Sequence, residues 1–458
     1  MTAARHAPYT WVPSIRPRRR ERRAPRAAAG GARVSSGAGG GAETVAEAMP
    51  TRARGTEDVL PAAAGRWTRL ERIARELAAR HGFGEVRTPI FEHTELVHRV
   101  GASTDVVQKE TYDFSDRGGR SLTLRPEGTA PVVRACLQGR LLDQGLPVKL
   151  CYVTLAAFRY ERPEAGRLRQ HHQFGCETFG APGPVADAEL AVLLGEFLEA
   201  AGIRGAVAHV NSIGCAACRP GYREALRDYY RPRLSGLCGD CQRRFEQNPL
   251  RLLDCRVDRD AALGAPHAVD HLDPDCAAHH AALLRLLGAA GVPARQDHLL
   301  VRGFDYYTRT VFEFVQGGES EGAVSLGGGG RYDDLVAELG GPRMPAAGFG
   351  VGMERLLLAL DRQGEASADA RSCDVLVAGE PEAAFALCAT LRRGGLAAEF
   401  DPLGRSLKAQ LRYADRLQAR FVAILGPGGV TLRDMAQRAQ REVAAEAVAA
   451  EVAAVIRR

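Results

Sequence analysis

The segment FRYERPEAGRLRQHHQFGCETFG (residues 158–180) joins two strand-like runs through a short polar loop. The first run, KLCYVTLAAFRYE (149–161), is rich in β-branched and aromatic residues, and so is the second, QFGCETFG (173–180). Charged and amide side chains lie inside both runs, where a purely structural strand would carry apolar ones. The segment therefore predicts two strands that present polar groups to a site.

Further patterns extend outward from this segment. An amphipathic helix is predicted from Pro61 to His81, because apolar residues recur there at helical spacing. Pro89 forbids helix in VRTPIFEHTEL, which we expect to be extended. The remaining predictions are a strand that runs through RPEGT into a helix (121–137), a helix ending at Gly202 (185–202) and a strand region (298–315).

Several arginines lie among apolar neighbours on these predicted strands and helix starts. A buried guanidinium is costly unless it meets an anion, and it binds phosphate or carboxylate in a bidentate manner. A salt bridge explains each arginine alone. Several such arginines, however, lie beside two glycine segments, GGGGRYD (327–333) and GFGVGMER (348–355), which let a ligand approach the backbone. This combination favours a polyphosphate or an acid as the ligand. GFGVG lacks the spacing of a dinucleotide fingerprint. The arginines are Arg159, Arg167, Arg169, Arg302 and Arg355.

Polar residues on the same strands could bind a small amphoteric ligand. A carboxylate accepts hydrogen bonds from an ammonium group, and a carboxylate with a phenol can hold both nitrogens of an imidazole. Each of these residues could equally lie on the surface. The candidates are Glu127, Thr129, Gln173, Glu177, Tyr306 and Tyr307.

Length and composition limit the class of protein. The 458 residues suit two or three domains, and no run of 18 apolar residues exists, which excludes a membrane-spanning helix. Nine of the 61 basic residues and three of the 55 acidic residues precede Met49, which leaves 52 of each sign. Any nucleic-acid contact must therefore use local basic patches. The eleven cysteines follow no secretory signal and indicate a reducing cytoplasm.

Residues 1–48 are rich in Arg, Gly and Ala and cannot form a core, so this extension is predicted to be disordered. A basic arm for RNA, an organellar transit peptide and an extension without function all fit its composition, and we favour the last. Met49, just before the first patterned sequence, could be the true start of the protein.

Taken in order, these motifs resemble those of histidyl-tRNA synthetases, which are class II aminoacyl-tRNA synthetases. The resemblance starts at about residue 52 and reaches the C-terminus, and LVRGFDYY (300–307) separates the histidine enzyme from other class II synthetases. The motifs that carry it are RGTEDVLP, VRTPIFEHTELVHRVG, LTLRPEGTAPVVRA, the segment 158–180, LVRGFDYYTRTVFEF, GGGGRYDDL and GFGVGMERLLL.

The resemblance implies an α+β catalytic domain, an antiparallel sheet flanked by helices, in two parts (49–210 and 298–367). A mainly helical insertion (211–297) would separate the two parts. A linker around 368–372 would lead to a C-terminal α/β anticodon-binding domain (372–458), where three short strands alternate with helices in three layers and a helix over roughly 436–457 ends the chain. VRTPIFEHTEL would form the interface of a homodimer.

The resemblance also implies a reaction and its residues. Histidine and ATP, with Mg²⁺, would form histidyl-adenylate and pyrophosphate, and the acyl group would then pass to the histidine tRNA. Arg159 and Arg302 would contact the α-phosphate, and Arg302 also the histidine carboxylate. The remaining roles are Glu161 on the adenine amino group, Arg167 on the outer phosphates, Arg355 on adenine and phosphate, Glu127, Thr129 and Gln173 on the ammonium group, and Glu177 with Tyr307 on the imidazole, with Tyr306 beside them.

One position departs from the family pattern. His171 occupies the place where the family usually has a phenylalanine that stacks on adenine. Imidazole also has a π face, so we expect stacking to survive.

The predicted insertion holds six of the eleven cysteines. Cys215 and Cys218 precede Cys238 and Cys241 by a spacing that fits one structural zinc site of four thiolates, with Cys255 and Cys276 as substitute ligands. Free thiols in a small helical module are the alternative. In the same module Arg243, Arg244 and Arg251 are candidates for phosphate contact with the tRNA acceptor arm, or form a solvated basic face.

In the C-terminal domain, Lys408, Arg412 and Arg416 share one face of a predicted helix, which suits phosphate contact. Two rival functions are a regulatory subunit of ATP phosphoribosyltransferase, which typically lacks this domain, and a class II synthetase for another amino acid.

Overall fold

The computed structural model describes residues 49–101, 107, 109–317, 324–364 and 373–456. The N-terminal extension and the predicted linker around 368–372 lie outside these residues. Within the described part, the helices are all too short or too polar to cross a membrane.

The helices form where apolar residues recur every three or four positions. In α1 this spacing buries Leu70, Ile73, Ala74 and Leu77, and Gly202 ends α4 in the left-handed conformation with φ of 100°. The described helices are α1 Pro61–Arg80, α2 Thr94–Gly101, α3 Thr129–Gln138, α4 Pro184–Ala201, α5 Arg219–Tyr230, α6 Gly239–Gln247, α7 Arg259–Leu263, α8 Pro274–Ala289, α9 Leu335–Glu338, α10 Met353–Arg362, α11 Pro381–Arg393, α12 Leu407–Arg416 and α13 Val448–Ile456.

An eight-stranded sheet forms the centre of the catalytic part, in the order β1-β5-β6-β11-β10-β9-β7-β8. Only the two outermost pairs, β1 with β5 and β7 with β8, are parallel. A second sheet of three strands has the order β2-β4-β3. The strands of both sheets are β1 Gly84–Glu85, β2 Phe91–His93, β3 Tyr112–Ser115, β4 Ser121–Leu124, β5 Val148–Phe158, β6 Gln170–Phe179, β7 Ala206–Ser212, β8 Ala294–Gln296, β9 Thr308–Gln316, β10 Val324–Arg331 and β11 Ala346–Gly352.

Helices cover one face of the large sheet. The main core holds Phe174 and Cys176 of β6 together with the apolar faces of α1, α4 and α10. Leu283 and Leu287 of α8 belong to the same core. Because side chains alternate across a strand, the odd-numbered residues of β6 point to the other face of the sheet.

The residues from α5 to the start of α8 form a hydrophobic core of their own, which includes Tyr222, Leu226, Phe245 and Leu252. Short α-helices and 3₁₀ turns, at Arg231–Gly236, Pro249–Leu252 and Ala268–His271, build this region. It is the mainly helical region that the sequence predicts.

A separate five-stranded sheet lies near the C-terminus, in the order β13-β12-β14-β15-β16. Helices α11 and α13 pack on one face and α12 on the other, which gives the predicted three layers. Its strands are β12 Val375–Ala378, β13 Ala398–Phe400, β14 Phe421–Gly426, β15 Gly429–Asp434 and β16 Ala439–Val443.

The predicted final helix over roughly 436–457 is wrong in its first half. Residues 439–443 form strand β16, which pairs with β15 in antiparallel register, and α13 begins only at Val448. The alanine-rich sequence favours helix locally, but the free edge of β15 offers a row of backbone hydrogen bonds that outweighs this weak preference.

Candidate active site

The open face of β6 carries a row of polar side chains above a floor of glycines. His171, Gln173, Gly175 and Glu177 are alternate residues of β6, so the row is about 20 Å long. Directly opposite residues of antiparallel strands share a face. The floor beside this row consists of Gly348, Gly350 and Gly352 of β11, followed by Gly328 and Gly330 of β10.

Glu177 lies at one end of the row and is completely buried. Its Oε1 accepts hydrogen bonds from Thr129 Oγ1 at 2.9 Å and from the Tyr152 hydroxyl at 3.4 Å, and its Oε2 accepts one from the Tyr332 hydroxyl. Burial raises the pKa of the Glu177 carboxyl to about 8, although the three hydroxyl donors act in the opposite direction. A carboxyl group held in this way can form a hydrogen bond with a ring nitrogen of a polar heterocycle.

Tyr307, which is predicted to hold the imidazole together with Glu177, lies near this carboxyl group. Tyr332 donates to Glu177, whereas Tyr307 packs edge-on against the Tyr332 ring at 6.5 Å. Tyr306 lies between them, 4.7 Å from the Tyr307 ring and 5.6 Å from that of Tyr332. Sequence reasoning missed Tyr152 and Tyr332. Tyr332 could have been found, because it lies within the segment GGGGRYD, two residues after its last glycine, whereas Tyr152 has no such signal.

Glu127 and Gln173 lie near Glu177 and differ in how they are satisfied. Both carboxylate oxygens of Glu127 accept backbone hydrogen bonds at the start of α3, from Thr129 N at 2.5 Å and Ala130 N at 2.8 Å. Burial raises the pKa of the Glu127 carboxyl. The side-chain oxygen of Gln173 is buried and has no hydrogen-bond partner among the described residues. An unpaired buried acceptor is costly, so this oxygen is suited to a donor on a ligand.

The arginines gather at the other end of the row. Arg159 donates to the carbonyl oxygen of Pro126 at 3.2 Å and its guanidinium lies 5.6 Å from the centre of the Phe304 ring. Arg355 donates to the carbonyl oxygen of Ser325 at 3.3 Å. Burial lowers the pKa of Arg355, and the nearby charge of Arg167 lowers it further. Arg159 and Arg355 form no ion pair with another described residue, whereas Arg167 lies near Glu161 and Arg302 pairs with Glu313. Neighbouring guanidinium groups of this kind suit a polyphosphate.

Arg302 reaches the same floor from the loop before β9. Its guanidinium forms a salt bridge of 2.9 Å with Glu313, which is the β9 partner of Gly328, and its Nε is buried without a partner among the described residues. It also lies 5.9 Å from the centre of the Tyr307 ring. Arg302 is therefore placed between the two ends of the row.

His171, Glu161 and Arg167 complete the predicted nucleotide end. Burial lowers the pKa of His171 to about 3, and Arg159 and Arg355 add to this shift, so the ring is neutral near pH 7. Arg167 lies 4.0 Å from the carboxylate of Glu161.

The helical region contacts the loop that carries Arg302. Arg251 donates to the carbonyl oxygen of Arg302 at 2.9 Å, and the Asn248 amide donates to Asp305 at 2.6 Å. Arg219 donates to the carbonyl oxygen of Tyr307 at 2.6 Å. The three arginines considered for phosphate contact each lie near a carboxylate: Arg243 with Asp240 at 2.6 Å, Arg244 with Asp254 at 4.0 Å and Arg251 with Asp254 at 3.0 Å.

The prediction of one zinc site made of Cys215, Cys218, Cys238 and Cys241 is wrong. Each Cys-x₂-Cys pair belongs to a separate cluster, because the first pair lies at the entrance of the helical region and the second at the start of α6 inside it. Spacing along the chain could not reveal this, since the two pairs are separated by α5. The substitute ligands are the ones that complete the clusters, with Cys276 beside the first pair and Cys255 beside the second.

Comparison with known proteins identifies the family. The model of the family described as histidyl-tRNA synthetase matches residues 55–356, and an anticodon binding domain matches residues 373–454. The chain belongs to the histidyl-tRNA synthetase family. It is 50% identical over 412 residues to the histidine–tRNA ligase of Moorella thermoacetica, covering 87% of this chain and 97% of that one. The enzyme of Desulforamulus reducens is 48% identical over 408 residues, with 86% and 97% covered.

The fold agrees with this family. The apo crystal structure of the Staphylococcus aureus histidyl-tRNA synthetase matches with a TM-score of 0.75 and 33% identity, covering 88% of this chain and all of the other. The predicted class II fold, with its helical region and C-terminal anticodon-binding domain, is confirmed. The prediction of an enzyme, a histidine–tRNA ligase, is confirmed at the level of the family, whose members use ATP and Mg²⁺.

Proposed function

We propose that the open face of β6 activates L-histidine with ATP and then transfers it to the 3′ end of the histidine tRNA. The observation that carries this proposal is the row on β6. It has a hydroxyl-lined carboxyl group at one end and, at the other, the guanidinium groups of Arg159 and Arg355, which form no ion pair with another described residue. A glycine floor joins the two ends, so one extended ligand can lie across both.

At the nucleotide end, Arg159 binds the α-phosphate, Arg167 the outer phosphates, and Arg355 adenine and phosphate. Glu161 accepts a hydrogen bond from the adenine amino group, and the neutral ring of His171 stacks on the base. Mg²⁺, when bound, neutralises charge on the outer phosphates.

At the amino-acid end, the buried carboxyl of Glu177 binds the imidazole, assisted by Tyr307 and by the hydroxyl network of Tyr332 and Tyr152. Gln173 accepts from the substrate ammonium with its unpaired oxygen. Glu127 and Thr129 complete the ammonium site, although backbone hydrogen bonds already occupy part of Glu127. Tyr306 packs against Tyr307 and keeps its ring in place.

The chemistry requires little beyond position and charge. The histidine carboxylate attacks the α-phosphorus and pyrophosphate leaves, while negative charge gathers on the non-bridging oxygens. Arg302 and Arg159 stabilise this charge from fixed positions, and Arg302 also orients the attacking carboxylate. Its salt bridge to Glu313 fixes the guanidinium before the substrates bind.

We further propose that the protein is a cytoplasmic homodimer. Ile90, Phe91 and Phe114 support a dimer around VRTPIFEHTEL, since all three side chains are more than 40% exposed. Lys408, Arg412 and Arg416 are exposed on α12 and form no ion pair with another described residue, which supports contact with tRNA phosphates.

We also propose the extents of the domains. Residues 49–210 and 298–367 form the catalytic domain, and residues 372–458 form the anticodon-binding domain. For the insertion, predicted as 211–297, we propose a shorter extent of about 215–273, because α8 packs in the main core. The insertion would bind zinc through cysteine thiolates.

Arg302 gives the sharpest test of this function. Arg302→Ala should abolish histidine-dependent ATP–pyrophosphate exchange, with a loss of at least about 10²–10³-fold, because it removes a fixed donor to the developing charge. The melting temperature of the variant should stay near that of the wild type.

Arg343→Ala is the matched control, because Arg343 is an exposed arginine whose one ion pair within the described residues is with Asp334. The rate of ATP–pyrophosphate exchange should be unchanged in this variant. When the amino acids are tested one at a time, only histidine should support exchange. Near-normal exchange in Arg302→Ala, or exchange driven by another amino acid, would contradict the proposed function.

A further inference from the structure

Six cysteines and two aspartates of the helical region form two compact clusters. In each cluster the four ligand atoms all lie within 4.8 Å of one another. Each combines a Cys-x₂-Cys pair with a second pair of equal spacing, Asp273-x₂-Cys276 or Cys255-x₂-Asp258. We name them the neck cluster (Cys215, Cys218, Asp273 and Cys276) and the inner cluster (Cys238, Cys241, Cys255 and Asp258).

The distances within the clusters fit a tetrahedral metal ion. A zinc–sulfur bond of about 2.3 Å places two sulfurs of a tetrahedral site about 3.8 Å apart. In the neck cluster the Sγ atoms of Cys215 and Cys218 are 3.7 Å apart, and those of Cys218 and Cys276 are 3.8 Å apart. In the inner cluster Cys238 and Cys255 are also separated by 3.8 Å. These separations exclude a disulfide between the sulfurs concerned, whose bond length would be about 2.0 Å.

The backbone around both clusters orients the sulfur atoms. Backbone N–H groups point at the sulfurs, from Ala217 to Cys215 at 3.3 Å, from Cys215 to Cys218 at 3.1 Å and from Asp258 to Cys255 at 3.4 Å. Such hydrogen bonds fix the positions of sulfur ligands around a metal.

A carboxylate completes each set of three sulfurs. In the neck cluster Asp273 places Oδ2 3.1 Å from Cys215 Sγ, while its Oδ1 accepts from Cys276 N. In the inner cluster Asp258 Oδ2 lies 3.6 Å from Cys255 Sγ and accepts from Cys238 N. In both clusters the aspartate supplies the fourth ligand that a tetrahedral divalent cation needs beside three sulfurs.

We propose that the chain binds two zinc ions, one in each cluster, through three thiolates and one carboxylate. Three sulfur ligands select a thiophilic metal, and one oxygen ligand in a tetrahedral set suits zinc. This inference goes beyond the proposed reaction and does not depend on it, because its readout is metal content.

The two ions have different structural tasks. The neck ion ties the chain just after β7 to the start of α8, so it closes the region where the chain enters and leaves the insertion. Arg219, next to Cys218, donates to the carbonyl oxygen of Tyr307, so the neck ion also fixes a contact with the proposed histidine site. The inner ion ties α6 to the turn at 255–258, within the insertion core.

Metal analysis of the full chain, purified with a reductant and without chelator, tests the proposal. We expect two equivalents of zinc in the wild type, one in Cys276→Ser, one in Cys255→Ser and fewer than 0.2 in the double variant. Cys388→Ser is the matched control, because Cys388 is a fully buried cysteine outside both clusters, and it should retain two equivalents.

Replacement of zinc by Co²⁺ in the wild type provides a measurement that needs no variant. Two equivalents should develop the charge-transfer and visible bands of tetrahedral thiolate-bound cobalt. Fewer than 0.2 equivalents of zinc together with no such bands would overturn the proposal. Loss of both ions in each single variant, or of neither, would overturn the assignment of two independent sites.

Discussion

The two faces of strand β6 differ in how their side chains are satisfied. Phe174 and Cys176 face the helices and are completely buried, and the Phe174 ring packs edge-on against Phe197 at 4.7 Å. Gln173 and Glu177 face the glycine floor, where one has an unpaired oxygen and the other a raised carboxyl pKa. One face therefore stabilises the fold, whereas the other gives up some stability to hold groups ready for a ligand.

Phe174→Ala should have the largest effect on stability. Removing a fully buried aromatic ring typically lowers the free energy of unfolding by about 3–5 kcal/mol, because a cavity remains. Thermal unfolding should show a clear fall in melting temperature, while the KM for histidine at a temperature where the variant is folded should change little. Gln173→Ala, one position away on the open face, should leave the melting temperature nearly unchanged and raise the KM for histidine. Equal loss of stability in the two variants would contradict the division between the faces.

Two glycines of β11 differ in what lies above them: protein atoms fill the space above one, and the space above the other is open to a ligand. A Cβ atom at Gly348 would lie 1.7 Å from Glu177 Oε2, so Gly348→Ala should cost about 1–3 kcal/mol and displace the carboxyl. A Cβ atom at Gly350 would lie 3.7 Å from the nearest described atoms outside its own chain neighbours, which are Gln173 Nε2 and the Tyr152 hydroxyl oxygen. Gly350→Ala should therefore leave the melting temperature unchanged and raise the KM for ATP or histidine in the exchange assay.

Gly428→Ala is the control, because Gly428 is exposed, has open space for a Cβ atom and has no positive φ. This variant should change neither the free energy of unfolding by more than about 0.5 kcal/mol nor the KM values. An unchanged KM for both substrates in Gly350→Ala would show that the ligand does not lie on this floor.

Much of the open face could be predicted from sequence, because a strand with period two places Gln173 and Glu177 on one side wherever the strand lies. The glycine runs 327–333 and 348–355 likewise indicated close approach by a ligand. The partners of Glu177 could not be predicted, since Tyr152 and Tyr332 come from strand β5 and the end of β10, and only the sheet order brings them together.

The cysteines illustrate the same limit. The two Cys-x₂-Cys pairs are local features and could be recognised, but their third and fourth ligands depend on how short helices pack. Strand β16 was missed for a related reason, because its pairing with β15 is a tertiary interaction that alanine-rich sequence does not indicate.

Glu177→Gln measures the stability that the open face gives up. The pKa of Glu177 is raised from an ordinary carboxyl value to about 8 in the folded protein, so its contribution to stability is present at low pH and is lost as pH rises toward 8. Glutamine does not titrate. Between pH 5 and pH 8 the unfolding free energy of the wild type should therefore fall relative to that of the variant by an amount on the order of 1–3 kcal/mol. The melting temperature of the wild type should fall with it.

Asp401→Asn is the control, since Asp401 is also a buried carboxylate but is paired with Arg405 at 2.9 Å, and the hydrogen bond from Arg405 lowers the pKa of this carboxyl. The difference in melting temperature between this variant and the wild type should stay constant from pH 5 to pH 8, because Asp401 is ionised throughout that range. A constant difference for Glu177→Gln from pH 5 to pH 8 would contradict a raised pKa at this site.

The smallest effect is expected at His171, where the open face ends at the arginines. The pKa of this ring is lowered to about 3, chiefly by burial, so it stays neutral from pH 5.5 to pH 8 and should act on adenine only through its π face. His171→Phe keeps a ring and should change the KM for ATP by less than about threefold, whereas His171→Ala should raise it by up to about tenfold, because stacking of this kind is worth about 0.5–1.5 kcal/mol. The lowered pKa also makes the wild type lose stability relative to His171→Phe as pH falls below about 6.5, since the unfolded chain binds the proton more tightly. Equal KM values for the phenylalanine and alanine variants would mean that adenine does not stack on this ring.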